Sequence, residues 1–294
     1  MEKQKLAYIV NPISGTADKQ AIVDYVKQTV DESKVDLTIH YTTAAGNATE
    51  MAAYYASQNY DRVIAVGGDG TVNEVAKGLL HTATTMGIVP TGSGNGLARH
   101  LKIPLQHKRA IEVINTGKVI KIDHGVLNDK VFMCTAGVGF DAYIGNQFAI
   151  AGKRGFLTYA QLSAKEYFRY KPQNYKITIN GKTFGRKALL ITFANASQWG
   201  NNAYIAPKAN LCDGILDMVV LSPFPLITIP LMGLRMFTRQ IDQSRYIEVF
   251  RIKQASVERE NDGYIHFDGE PGMMGSQLNV SIVKQSLNIL IPNK

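Results

Sequence analysis

Short apolar runs alternate with segments of helical spacing along the first third of the chain. Lys5–Val10 reads as a strand, and Ala17–Val30 places Ile22, Val23, Val26 and Val30 on one helical face. Val35–Tyr41 alternates as a strand does, and Ala48–Ser57 reads as a helix. Val63–Val66 is a buried strand ending at Gly67, Asn73–Leu80 a helix and Gly87–Pro90 another strand. This rhythm with short links predicts a mostly parallel sheet with crossover helices. Ligands of such sheets sit at the carboxyl ends of the strands. Glycine-rich turns at 11–15, 67–71 and 91–96 each follow a predicted strand, so they are expected to converge on one edge of the sheet.

The rhythm changes near Lys118. Segments 118–127, 131–138, 175–180, 187–195, 214–221, 246–258, 263–268 and 277–292 read as strands, and helical patterns interrupt them around 155–169 and 226–240. Asn180-Gly181 between two strand-like runs is a strong hairpin signal. A mainly antiparallel second domain fits, with domains over 1–125 and 126–286 and a last strand, 287–294, open to a return to the first domain. The most apolar window, Met218–Phe237, contains Pro223, Pro225 and Pro230, whereas a membrane span wants roughly 20 consecutive apolar residues in a regular helix. The window reads instead as a strand, a proline turn and a short apolar helix, either buried in a core or touching lipid.

Composition narrows the class. At 294 residues the chain is near the size at which one core divides into two. The net charge of +8 suits an anionic membrane, an anionic substrate or nucleic acid. The basic residues are scattered and no nucleic-acid signature stands out, so nucleic acid is not expected. Cys134 and Cys212 lie far apart, with no zinc or CxxC spacing, and the amino terminus has no signal-peptide layout, so a soluble cytoplasmic protein is expected. The six histidines form no paired-ligand spacing. Lys153, Arg154 and Gly155 read as a cleft or membrane-face segment or as a solvated helix start. Trp199 and Tyr204 read as walls of a lipid site or as core aromatics.

Gly67-Gly68-Asp69-Gly70-Thr71 carries the most chemistry. Glycines let the backbone approach a phosphate chain, and the helix that follows offers unpaired amides and a positive dipole end. Asp69 suits magnesium, which prefers carboxylate oxygens and retained waters beside phosphates. The turns at 91–96, with Ser93, and at 11–15 repeat this theme. No GxxxxGK[ST] sequence and no GxGxxG after the first strand is present, which argues against a P-loop kinase and a dinucleotide dehydrogenase.

Asn11-Pro12-x-Ser14-Gly15, Gly67–Thr71 with Asn73-Glu74, Gly92-Ser93-Gly94-Asn95, Gly137-x-Gly139-Phe140-Asp141, Asp213-Gly214-x-x-Asp217 and Asp268-Gly269-Glu270-Pro271 follow in that order. This ordered set spans nearly the whole chain. It resembles the diacylglycerol kinase catalytic-domain family, which includes bacterial lipid kinases, sphingosine kinases and ceramide kinases. The resemblance implies a phosphofructokinase-like three-layer α/β domain followed by an antiparallel β-sandwich lipid domain, with the active site in the interdomain cleft. It implies ATP and Mg2+ as cofactors, with Asn11, Ser14, Thr43, Gly67, Gly68, Asp69, Gly70, Thr71, Asn73 and Ser93 around the nucleotide. Asp69 would act with magnesium, and Glu270 would be the general base, supported by Asp268. A structural magnesium of bacterial members would fall on Asp213, with the carbonyls of Asn210 and Ile215. Gly96 stands where many bacterial members have aspartate, and Asp141 matches a position that pairs with the substrate amine in sphingosine kinases. The implied activity is ATP-dependent phosphorylation of a lipid hydroxyl, on diacylglycerol or a sphingoid base, at an anionic membrane surface. A homodimer is left open. An NAD kinase-like enzyme shares GGDGT, and a silent lipid- or nucleotide-binding module is the reading from another class.

Overall fold

The computed structural model describes residues 3–150 and 156–293, without the side chains of 156–160, so Lys153, Arg154 and Gly155 lie outside the described residues. In chain order the elements are β1 (Gln4–Val10), α1 (Lys19–Thr29), β2 (Val35–Tyr41), α2 (Asn47–Ser57), β3 (Arg62–Gly67), α3 (Asp69–Leu79), β4 (Thr85–Pro90), α4 (Gly96–His100), α5 (His107–Thr116) and β5 (Lys118–Leu127). There follow β6 (Lys130–Phe132), β7 (Thr135–Gly139), α6 (Phe140–Ile150), α7 (Phe156–Tyr167), β8 (Gln173–Ile179), β9 (Lys182–Ala188), β10 (Leu190–Ala194), β11 (Leu216–Leu221) and α8 (Ile229–Phe237). The chain closes with β12 (Ile247–Ile252), β13 (Gln254–Arg259), β14 (Gly263–Phe267), β15 (Glu270–Met274) and β16 (Gln277–Ile291). It forms two compact units: residues up to Ile122 together with those from Gln285 onward, and Asp123–Lys284.

In the first unit the strand order is β2-β1-β3-β4, all parallel, with the end of β16 parallel to β4. Parallel strands covered on both faces must be apolar throughout, and Leu6–Val10 and Val63–Val66 are buried without a break. Crossovers between parallel strands are right-handed, which puts α1 and α5 on one face and α2 and α3 on the other. The observed packing pairs α1 with α5 and α2 with α3. The connection from β1 runs outward to β2, while that from β3 runs the opposite way to β4. The chain direction therefore reverses between β1 and β3, and the crevice beyond their carboxyl ends is where a ligand of such a sheet binds.

The second unit is antiparallel. One sheet has the order β12-β11-β10-β7-β14-β15. The other contains β9, β8, β13 and the first half of β16. Period-two alternation divides the side chains of β11 between two cores. Leu216, Met218 and Val220 join Ile177, Val257 and Leu278 of the facing sheet. Val219 and Leu221 point the other way, toward Met232, Ile241 and Ile247. Trp199 packs against this second core and Tyr204 is buried beside it. Asn180 and Gly181, at φ 50° and 76°, form the two-residue β8–β9 turn.

Three predicted strands are divided. Segment 131–138 breaks at Met133 and Cys134, whose amides turn to a side chain described below. Segment 187–195 breaks at Leu189, and 246–258 at Lys253. Helices α4, α5 and α6 and strand β15 add to the expected elements. Among the described residues β15 pairs only with β14, so Pro271 lies in an edge strand, where a missing N–H costs no ladder bond. No described helix is long and apolar enough to cross a membrane.

Candidate active site

The turns after β1, β3 and β4 are stitched together in the first unit. Asn11 Nδ2 donates to Thr71 Oγ1 at 2.9 Å, across the crevice between β1 and β3. The Ser14 and Thr91 hydroxyls meet at 2.8 Å. Asp69 Oδ2 accepts the Asn95 amide at 2.8 Å and Oδ1 the Gly96 amide at 2.6 Å. The backbones run so close that a Cβ on Gly92 would lie 2.7 Å from Gly68 Cα, and one on Gly15 would overlap the Thr91 carbonyl at 1.7 Å. Glycine at these two positions is a steric requirement of the junction.

Helix α3 begins at Asp69 behind Gly68, which gives it no side-chain cap. An uncapped helix start leaves backbone donors for an anion. Burial pushes the Asp69 carboxyl above its ordinary value, while the Gly96 and Asn95 amides and Arg99 pull it back. Asn73 is buried, with neither Oδ1 nor Nδ2 hydrogen-bonded among the described residues. Such an orphan amide costs about 1–3 kcal/mol unless a ligand or water satisfies it. Ser93 is exposed on the third turn. Thr43 follows β2 at the same edge, with its N–H and hydroxyl directed to Asn47 Oδ1.

Sequence reasoning assigned no role to Lys19 or Glu74. Lys19 is buried and folds back on the first turn, donating to the Ser14 and Ala17 carbonyls. Burial lowers the pKa of its ammonium. The Glu74 carboxylate accepts the Gly46 and Ala48 amides at 2.9 and 3.1 Å, fixing the start of α2 beside Thr43. The Asn73-Glu74 pair was the available signal for Glu74. Lys19 had none, because a lysine at a helix start is ordinary.

In the second unit, Asp268 and Gly269 form the β14–β15 turn at φ 50° and 88°. The Asp268 carboxylate accepts three successive amides, Met133 and Cys134 at 2.7 Å and Thr135 at 2.9 Å. At the other end of the hairpin, buried Arg259 donates to the carbonyls of Gly263, Tyr264, Met274 and Gly275. The hairpin is thus braced at both ends, and Glu270 stands exposed on it just beyond the turn. Arg259 has no motif in the sequence, since its partners are all main-chain atoms.

Residues 5–127 match the family model for the diacylglycerol kinase catalytic domain, and residues 134–291 match the YegS C-terminal NAD kinase beta sandwich-like domain. A diacylglycerol kinase of Bacillus subtilis (strain 168) is 31% identical over 283 residues, covering 93% of this chain and 91% of that protein. The chain belongs to the diacylglycerol kinase family. A crystal structure of a putative diacylglycerol kinase from Bacillus anthracis str. Sterne has the same fold, with TM-score 0.81 at 24% identity, over 98% of this chain and 95% of that one. An NAD kinase from Archaeoglobus fulgidus in complex with ATP matches at TM-score 0.55 and 13% identity, over 98% of this chain and 94% of that one.

Two residues implied by the family resemblance are otherwise engaged in this diacylglycerol kinase family member. Asp141 is buried, and its Oδ2 meets His266 Nε2 and Thr192 Oγ1, both at 3.0 Å, while Oδ1 accepts the Ala142 amide. A carboxylate so enclosed does not present itself to a substrate amine. Asp213 Oδ1 accepts the Ile215 amide, and Oδ2 bonds the Arg251 guanidinium, which also lies 3.8 Å from Asp217. The side chain of Asn210 accepts the Cys212 amide. Arg251 thus lies against the carboxylate of the expected Asp213, Asn210 and Ile215 magnesium set. Asp69 fits one better, since its carboxylate accepts main-chain amides and has no ion-pair partner among the described residues.

Proposed function

We propose that the chain is an ATP- and magnesium-dependent lipid kinase that transfers the γ-phosphate to a lipid hydroxyl, with diacylglycerol as the first acceptor. The observation that carries this reading is the junction of the three turns at the point where the strand order reverses. It combines close backbone approach, an uncapped helix start and the orphaned Asn73 amide. Asn11, Ser14, Gly67, Gly68, Gly70, Thr71, Asn73 and Ser93 would cradle the nucleotide, with Thr43 at its edge. Asp69 would hold magnesium, which when bound supplies neutralisation of the phosphate oxygens.

A lipid alcohol is almost never ionised at neutral pH, so a placed carboxylate must take its proton as transfer proceeds. Glu270 has that role. Asp268 and Arg259 act through it as positioning residues, by fixing the hairpin. Because Asp141 is occupied by His266 and Thr192, a neutral diacylglycerol fits better than a sphingoid base.

Label transfer from radiolabelled ATP to diacylglycerol, monoacylglycerol, sphingosine and ceramide in mixed micelles, with NAD as a control, tests this. Label on diacylglycerol and not on sphingosine is expected. Label on NAD alone would replace the proposal with an NAD kinase, and bound ATP without any transfer would make the protein a silent binding module.

A further inference from the structure

Helix α8 is held to the second unit by a narrow strip. Met232 is buried, Met236 packs against the same core, and the Met236 carbonyl accepts the Tyr204 amide. The residues on its opposite side are apolar and exposed. Leu231, Leu234 and Phe237 fall on one face at helical spacing, and each is more than two-fifths exposed. Ile227, in the short turn Leu226–Thr228 just before the helix, is 90% exposed, and Leu226 is also exposed. Scattered exposed leucines need no explanation, but five large apolar side chains within twelve residues form a patch.

The open charge around the patch is basic. From Met218 to Ile241 there is no aspartate or glutamate, and Asp242 beyond is mostly buried in a pair with Lys208, while Arg235 lies within the stripe, Arg239 just after it and Arg245 a few residues on. None of these arginines has a carboxylate partner among the described residues. Arg239 instead stacks on the Tyr204 ring, 4.4 Å from its centroid, and donates to its hydroxyl, while Arg245 lies over the Tyr246 ring. A helix of nine residues is about 13 Å long, far short of a bilayer. An apolar stripe with basic flanks on so short a helix suits the plane of an anionic membrane interface, with the stripe among the acyl chains and the guanidinium groups at the phosphates.

We propose that Leu226–Phe237, with Arg235, Arg239 and Arg245, is the surface by which this protein docks on anionic bilayers. The proposal rests on the lipid-kinase reading, because an acceptor dissolved in a bilayer must be met at its surface. It names a face formed by α8 and the turn before it, which includes no residue assigned to phosphoryl transfer.

The test is flotation of the full chain with phosphatidylcholine vesicles, with and without phosphatidylglycerol. The wild type is compared with a Leu231→Glu/Leu234→Glu double variant and an Arg235→Gln/Arg245→Gln double variant. Transfer to a dispersed short-chain diacylglycerol is measured in parallel. The wild type is expected to float only with the anionic vesicles. The leucine variant should lose at least about tenfold in partitioning, and the arginine variant should lose the preference for phosphatidylglycerol. Both should keep wild-type unfolding temperatures and short-chain turnover. A Leu234→Trp variant supplies a second reading, in which its fluorescence shifts to the blue and is quenched by brominated lipid.

Equal flotation of the leucine variant and the wild type would overturn the docking surface while leaving the kinase reading intact. So would a wild-type dimer in sedimentation equilibrium that the leucine variant abolishes, because the patch would then bind a second copy. Intact, patch-dependent flotation with no transfer to any lipid would instead overturn the kinase reading and leave the docking surface standing.

Discussion

Replacing Asp268 removes the acceptor of three consecutive amides. Met133, Cys134 and Thr135 are all buried, so their N–H groups have little water to turn to. Hydrogen bonds to a charged acceptor contribute about 1.5–3 kcal/mol each, and partial hydration through the open turn recovers some of this. Alanine at φ 50° adds roughly 1 kcal/mol of backbone strain that asparagine largely avoids. Asp268→Ala should therefore cost about 4 kcal/mol. Asp268→Asn keeps an oxygen for Cys134 and Thr135 and loses chiefly the Met133 bond, so it should cost about 2 kcal/mol. Trp199, the single tryptophan, packs in the second unit, so its fluorescence in a urea titration reports the unit that contains the turn. A loss below about 1 kcal/mol for the alanine variant, or an asparagine variant no better than alanine, would refute the reasoning.

Gly92→Ala pushes a methyl against Gly68 Cα, so it should weaken ATP binding at least about tenfold while the chain still folds, as read by nucleotide titration and circular dichroism. Arg251→Met removes the guanidinium beside Asp213 and buried Asp217. The variant should melt at a lower temperature than the wild type, as read by thermal unfolding. Arg186 holds the Glu248 carboxyl below its ordinary value, so their pair stabilises the fold above the unfolded-state pKa and is lost as pH falls through the folded one. Glu248→Gln should thus cost about 0.5 kcal/mol at neutral pH and nothing in strong acid, as measured by urea titrations across pH.

The first unit was largely legible in the sequence, because its information is local. Apolar runs gave β1, β3 and β4, and glycine turns marked their carboxyl ends. Helix α5 was passed over although Ala110, Ile111, Val113 and Ile114 carry a helical period. The second unit was harder, because its breaks are set by distant partners. Nothing near Met133 signals that its amide turns to a carboxylate 135 residues later. Strand β15 was hidden because Glu270-Pro271-Gly272 has turn chemistry, which an edge position tolerates. Motifs located Asp141 and Asp213, but not His266 and Arg251, the residues that engage them. An ion pair or a buried hydrogen bond between distant strands leaves no spacing pattern.

The proposed role of Glu270 as the base in phosphoryl transfer to a lipid is open to direct test. Its most direct test is the turnover of diacylglycerol by Glu270→Gln beside the wild type, with ATP affinity and unfolding temperature measured on the same preparations. The kcat of the variant is expected to fall at least about a hundredfold while ATP affinity and stability stay unchanged, since Glu270 is exposed on a hairpin braced by other residues. Near wild-type turnover by the variant would contradict it.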